Sequence, residues 1–199
     1  REEETESKFP EIVKNIALIY KQLGQNDMAL AAIETARASN PDDVGLIITA
    51  ANIYFELDDK EAFKLAMSEA IEKEPNNPIL YYNLGVVSGE LGEKESARTY
   101  YEKSIELDPT NENSYLNLVA LILDGEQEIV NEMNSLGTSR SDNLRYDELK
   151  ITREELYKEC VPILKDLIAI SNDTEAIRTL MNIYGTLGDN PGYMEMKNL

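Results

Sequence analysis

The sequence predicts an all-α protein built as an array of short helical hairpins, and three observations carry that prediction. Pro41, Pro75 and Pro109 stand 34 residues apart, and the residues between them align without a gap. Leu84-Gly85 falls on Ile16-Ala17 and Ala50-Ala51, and Leu91-Gly92 falls on Leu23-Gly24 and Leu57-Asp58. Within each period, apolar residues recur at helical spacing and no stretch alternates as a strand would. Small residues also keep fixed columns: Ala29 and Ala97 with Phe63 between them, and Ala36, Ala70 and Ser104. Where two helices cross closely, only small side chains let the backbones approach.

Taken in order, REEETESK is a charged lead-in, either a frayed tail or the end of a helix from an upstream repeat, and Phe9-Pro10 opens a first repeat over about 10–43. Its helices run to about Leu23 and from Asp27 to Ala38, and Asn40-Pro41-Asp42-Asp43 punctuates it. The second repeat spans 44–77 and the third 78–111. In the third, Asn77 and Pro78 pair as N-cap and first-turn residue, and Leu80, Tyr81, Leu84, Val87 and Leu91 form one apolar face. Gly92 ends that helix. Ala97, Tyr100, Tyr101, Ser104, Ile105 and Leu107 mark the next, which Pro109 stops.

The fourth repeat, 112–173, begins regularly with Tyr115, Leu118, Val119 and Ile122. At Asp124-Gly125 it departs into an insertion over about 126–151. Ile129, Val130, Met133 and Leu136 predict a short amphipathic helix, and Gly137–Asn143 a polar, mobile loop. Thr152-x-x-Glu155 reads as a capping box that opens a long helix carrying Leu156, Cys160, Leu164 and Leu167, with a kink or break expected at Pro162. This helix is the delayed second half of the repeat. A fifth repeat over 174–199 carries Leu180, Met181 and Tyr184, the turn Leu187-Gly188, and Tyr193 and Met196 closing the core.

A helix–turn–helix period of 34 residues resembles the tetratricopeptide repeat family. The resemblance is close over 10–125 and looser over 152–199, and 126–151 lie outside the pattern. It implies a right-handed solenoid, and one continuous solenoid domain is expected over residues 1–199. The segment TLMNIYGTLG (Thr179–Gly188) after a long insert also resembles bacterial envelope-associated members, which favours a periplasmic or envelope setting over a cytoplasmic one.

The chain has 199 residues, 42% of them hydrophobic, enough for a core despite a formal charge of −19. That charge disfavours nucleic acid and anionic membrane as partners. No run is long enough to cross a membrane, so direct insertion is not expected. The sequence opens at Arg1 without a methionine and reads as a mature form or an excised segment.

Chemistry finds little to stand on. There is no histidine, which removes the Ser-His-Asp and Cys-His systems and the two-histidine metal motif. The lone Cys160 cannot build a structural zinc site and sits in a small-residue column, where it reads as core. No phosphate-binding or dinucleotide glycine loop occurs, and Asp42-Asp43 and Asp58-Asp59 are too short for a calcium loop. No catalytic residue, metal or cofactor is expected.

What remains is the face of the first helices that the family resemblance places on the concave side. It reads Lys14, Leu18 and Lys21, then Ile48, Asn52 and Phe55, then Ile79, Tyr82 and Val86, then Leu116 and Leu123, with Arg178 in the fifth repeat. Repeats two to four therefore predict an apolar groove for a peptide or helix of a protein partner, with Lys14, Lys21 and Arg178 as charges at its ends. Asn15, Thr49, Asn83 and Asn117 share one column, and amides at this spacing form a candidate ladder for the backbone of an extended segment. The clamp of lysines, asparagine and arginine that binds chaperone tails is not matched, because Leu18, Thr49 and Asn83 occupy its positions after Lys14. Three competing expectations stand beside the groove. The insertion folds back over it, the array is a spacer or self-assembly element of an envelope complex, or it is a recruiting arm of a larger enzyme.

Overall fold

A computed structural model describes residues 10–199; the charged lead-in lies outside the described residues. Among them are eleven α-helices and no strand, in two compact units that meet in sequence at Leu107 and Asp108.

The first unit holds three hairpins: α1 (Pro10–Gln22) with α2 (Asn26–Ser39), α3 (Val44–Glu56) with α4 (Lys60–Lys73), and α5 (Pro78–Glu90) with α6 (Lys94–Leu107). Each α3–α5 start is capped as its sequence demands. The Asp43 carboxylate accepts from the Leu46 amide, Asp59 from Ala62, and Asn77 from Ile79. The turn inside each hairpin is one motif repeated at the same period. Gln25, Asp59 and Glu93 amides donate back to the Tyr20, Tyr54 and Ser88 carbonyls at 2.8–2.9 Å. This six-to-one bond needs a left-handed residue just before it. Gly24 (φ 71°) and Gly92 (φ 75°) supply it, and in the second repeat Asp58 does so at φ 58°.

Two apolar clusters fill the unit. Ala17, Ala29, Ile33 and Ala36 pack with Leu46, Ala50 and Ile53 of α3. The other face of α3, Ile47 and Ala51, joins Phe63, Ala66, Met67 and Ala70 of α4 and Leu80, Leu84 and Val87 of α5. A first helix thus uses one face for its own partner and the adjacent face for the preceding hairpin. In the third repeat the small residue Gly85 lies under the Tyr101 ring, where an added Cβ would come within 2.6 Å of the ring carbons. The small-column residue Ala97 does not oppose Gly85: its methyl faces Gly89, at 3.9 Å from a Cβ built there. One helical turn separates the two pairs.

The second unit contains α7 (Glu112–Ile122), α8 (Glu126–Ser135), α9 (Arg140–Ser171), α10 (Thr174–Leu187) and α11 (Asn190–Lys197). Here α9 packs against α7, α8 and α10, and α10 against α11. The expected polar loop over Gly137–Asn143 is corrected to a short link, because α9 begins at Arg140. Its capping box is Ser139 with Asp142, thirteen residues before Thr152 and Glu155 would have placed it. Thr152 lies mid-helix and its hydroxyl donates to the Glu148 carbonyl at 3.1 Å. Pro162 does not break the helix, which runs through it with the ring on an exposed position. At the chain end Gly192 sits against the Tyr184 ring and Met196 is buried, while Tyr193 is half-buried.

Candidate functional site

Cys160 is fully buried, and burial pushes its thiol up to about 12, so no thiolate is available near neutral pH. Among the described residues no group of histidine, cysteine or carboxylate side chains is placed to hold a metal ion. No helix among them is long and apolar enough to cross a membrane.

The site begins with a difference between two hairpins. In the third repeat Gly89 and Ala97 face each other, and the helices close with little side chain between them. The same columns in the second repeat hold Phe55 and Phe63, whose ring centroids lie 5.7 Å apart in a tilted pair. Phe63 is buried and Phe55 is half open to solvent. Beside them the Tyr82 ring of α5 leans on Tyr101 at 6.2 Å. Asn52, Phe55 and Phe63 on one side and Tyr82, Asn83, Val86 and Val87 on the other enclose a hollow of about 240 Å³.

Five residues predicted for the groove or the ladder therefore come together here: Asn52, Phe55, Tyr82, Val86 and Asn83. The others go elsewhere. Ile48 packs against the α3–α4–α5 core, and Ile79 and Leu18 are exposed without lining the hollow. Leu116 is exposed on α7 and Leu123 is half-buried as the C-cap of that helix, both in the second unit. In the ladder column, the Thr49 hydroxyl donates to the Gly45 carbonyl of its own helix at 2.6 Å, whereas Asn15 is exposed on α1 and Asn117 half-buried on α7. Phe63 and Val87 were missed. Phe63 left a trace in the sequence as the one bulky residue in an otherwise small column.

The predicted end charges are all paired. The Lys14 ammonium lies 2.8 Å from Glu11 and 3.2 Å from Asp43. Burial pulls its pKa down, but the two carboxylates outweigh that and leave it above its ordinary value. Lys21 meets Glu56 at 2.8 Å, and Arg178 meets Glu175 at 2.9 Å. The cations of α4 are engaged as well, Lys60 with Glu90 and Lys64 with Glu93. The hollow itself is lined by no charged side chain.

Hairpins repeating every 34 residues, with small residues at the crossings and a left-handed turn in each of the first three, define an α-helical repeat protein. Residues 15–43 and 79–111 match the Tetratricopeptide repeat, so the chain carries repeats of that kind over those two stretches. Solved structures of that architecture superimpose on it. MamA from Desulfovibrio magneticus RS-1 does so with a TM-score of 0.63 at 12% identity, covering 96% of this chain and 93% of that one. A putative protein binding protein from Bacteroides ovatus ATCC 8483 gives 0.59 at 20%, covering 90% and 98%. The first TPR of Spaghetti (RPAP3), solved with the HSP90 peptide SRMEEVD, gives 0.53 at 22%, covering 58% and 91%. At these identities the likeness is one of fold. No curated protein matches the chain by sequence.

Proposed function

We propose that the chain is a non-catalytic interaction scaffold and that the hollow between α3, α4 and α5 receives an apolar side chain from a protein partner's extended segment. The observation that carries this reading is an uncharged hollow of about 240 Å³ with three aromatic rings and two amides on its wall. A dry cavity of about 150 Å³ takes a benzene-sized group, so an aromatic or large aliphatic side chain fits. Asn52 and Asn83 line the hollow, and an amide can both donate to and accept from a peptide backbone. The RPAP3 structure holds the HSP90 peptide SRMEEVD, which is acidic. Such a peptide suits this hollow poorly, because Lys14, Lys21, Lys60 and Lys64 already serve carboxylates of the chain itself.

The test is selection of peptides from a displayed library against the chain, followed by fluorescence polarisation with the recovered sequences. Phe55→Ala and Tyr82→Ala should each weaken binding by about 1–3 kcal/mol, as truncation of an aromatic anchor does. Leu65→Ala, on an exposed position of α4, should leave it unchanged. Melting curves of all three variants separate loss of the site from loss of the fold. Peptides that bind the aromatic variants as well as the parent would overturn the reading.

A further inference from the structure

The hollow between α3, α4 and α5 has a size and a lining that select among apolar side chains. A dry cavity of about 150 Å³ holds benzene, with its six heavy atoms. In proportion, an indole with nine needs roughly half as much again, close to the hollow's volume of about 240 Å³. A leucine or a phenyl ring would leave lining atoms facing empty space, and each such gap forfeits dispersion contacts. The walls are those of an aromatic receptor. Phe55, Phe63 and Tyr82 all line it, and the first two rings meet at 57°, so an entering bicycle finds both edges and faces. These are the two phenylalanines of the described residues, and the third repeat has Gly89 and Ala97 in their columns. The polar lining narrows the choice further. Among the described residues neither the Asn52 nor the Asn83 side-chain amide is engaged in a hydrogen bond. An indole brings one N–H donor and no acceptor, and either amide oxygen can take it. Leucine and phenylalanine bring nothing to these amides.

We propose that the hollow is a tryptophan pocket, which takes the indole of a tryptophan in an extended segment of a partner protein and accepts its N–H at Asn52 or Asn83. This assignment rests on the side-chain receptor role of the hollow and names the side chain received. A tyrosine phenol can also meet an amide, but its single ring fills the space no better than that of phenylalanine. Free tryptophan is the other source of an indole. Its ammonium and carboxylate would find no charged side chain in the lining, whereas a tryptophan inside a chain carries neither group.

The chain contains no tryptophan, so indole emission reports on the ligand alone. Four displayed peptide libraries, random on both sides of one fixed Trp, Phe, Tyr or Leu, are selected against the 199-residue chain. The tryptophan library should be retained best. Its recovered peptides should bind at least about tenfold more tightly than their Phe-substituted versions, the lower bound for a group missing from an apolar pocket. Their emission should shift to the blue on binding, and Phe55→Ala should abolish the shift. Val86→Phe, which fills the hollow instead of opening it, should do the same, and melting curves of both variants keep a lost fold from passing as a lost site. Benzothiophene in place of indole keeps the shape and loses the N–H; it should weaken binding about threefold to tenfold, and the double variant Asn52→Leu, Asn83→Leu should bind both ligands equally. Peptides that depend on Phe55 but prefer Phe, Tyr or Leu would overturn the tryptophan assignment and leave the wider receptor role standing. Retention of no library, or binding indifferent to both Phe55→Ala and Val86→Phe, would overturn both. Free tryptophan binding as tightly as the peptides would make the hollow a small-molecule site, and equal binding of indole and benzothiophene to the parent would remove the amides from recognition; each refutes the assignment.

Discussion

In the first unit α4 lies between α3 and α5 with Phe63, Ala66, Met67 and Ala70 all buried. In the second unit α8 buries no residue fully, and its apolar side chains Ile129, Val130, Met133 and Leu136 are all half-buried. What ties it to α9 is polar. Arg153 meets Glu126 at 2.7 Å while stacking on the Tyr157 ring, and Tyr157 donates to the same carboxylate at 2.6 Å. Arg145 grips Glu132 with two parallel bonds of 2.7 and 3.1 Å. The regular repeats are thus held by area and fit, and the irregular helix by directed, charge-assisted bonds. Area tolerates salt and pH but not a change of volume; directed bonds have the opposite sensitivities.

The largest expected contrast comes from deleting apolar volume. Leu84→Ala in the α3–α4–α5 cluster should cost about 2–5 kcal/mol in chemical denaturation. Ile129→Ala on α8 should cost well under that, and equal losses would erase the distinction. Next comes added volume. Gly85→Ala places a methyl against the Tyr101 ring and should cost about 1–3 kcal/mol, while Gly89→Ala, with 3.9 Å of clearance, should cost far less.

The polar side of the comparison is tested on α8. Arg153→Met should cost about 1 kcal/mol and raise hydrogen exchange along α8 while leaving α5 as it was. About 1 M salt should loosen α8 in the same selective way. Alkaline titration sharpens it further. Burial first, and then the bond to Glu126, push the Tyr157 phenol up to about 12. The folded state keeps that proton where an unfolded tyrosine, near pH 10, has lost it. The contribution is complete below about pH 10 and is lost as pH rises through about 12. Tyr157→Phe should flatten that part of the stability profile. The smallest effect belongs to Asp58, which holds a left-handed conformation that Gly24 and Gly92 adopt freely. Asp58→Gly should gain at most about 1 kcal/mol, read as a small rise in Tm.

How much of this was visible beforehand follows the same division. The first three repeats were legible because their stabilising groups are apolar residues, prolines and caps at a fixed period. The start of α9 was not. Of its first dozen residues only Leu149 is buried, so no apolar rhythm announces a helix there. What builds it is the Ser139–Asp142 box and pairs at helical spacing, Arg145 with Glu148 and Lys150 with Glu154. A reading tuned to hydrophobic period sees only a polar loop in such a stretch. The hollow was legible by half. Phe55, Tyr82 and Val86 follow from the first-helix face, but Phe63 reaches the site from the second helix, where the family pattern calls for a small core residue.

The 32-residue α9 also sets how the second unit comes apart. At about 1.5 Å per residue it is a rod of about 48 Å, and α7, α8 and α10 all rest on it. In the first unit a hairpin can open from one end while its neighbours keep their own contacts, as stacked repeats do. Helices that share one rod have no such independence, since none keeps its packing once the rod melts. The packed part of the second unit is therefore a single cooperative block: the amides of α7, α9 and α10 should exchange with solvent as one set, with the salt-held α8 loosening ahead of them.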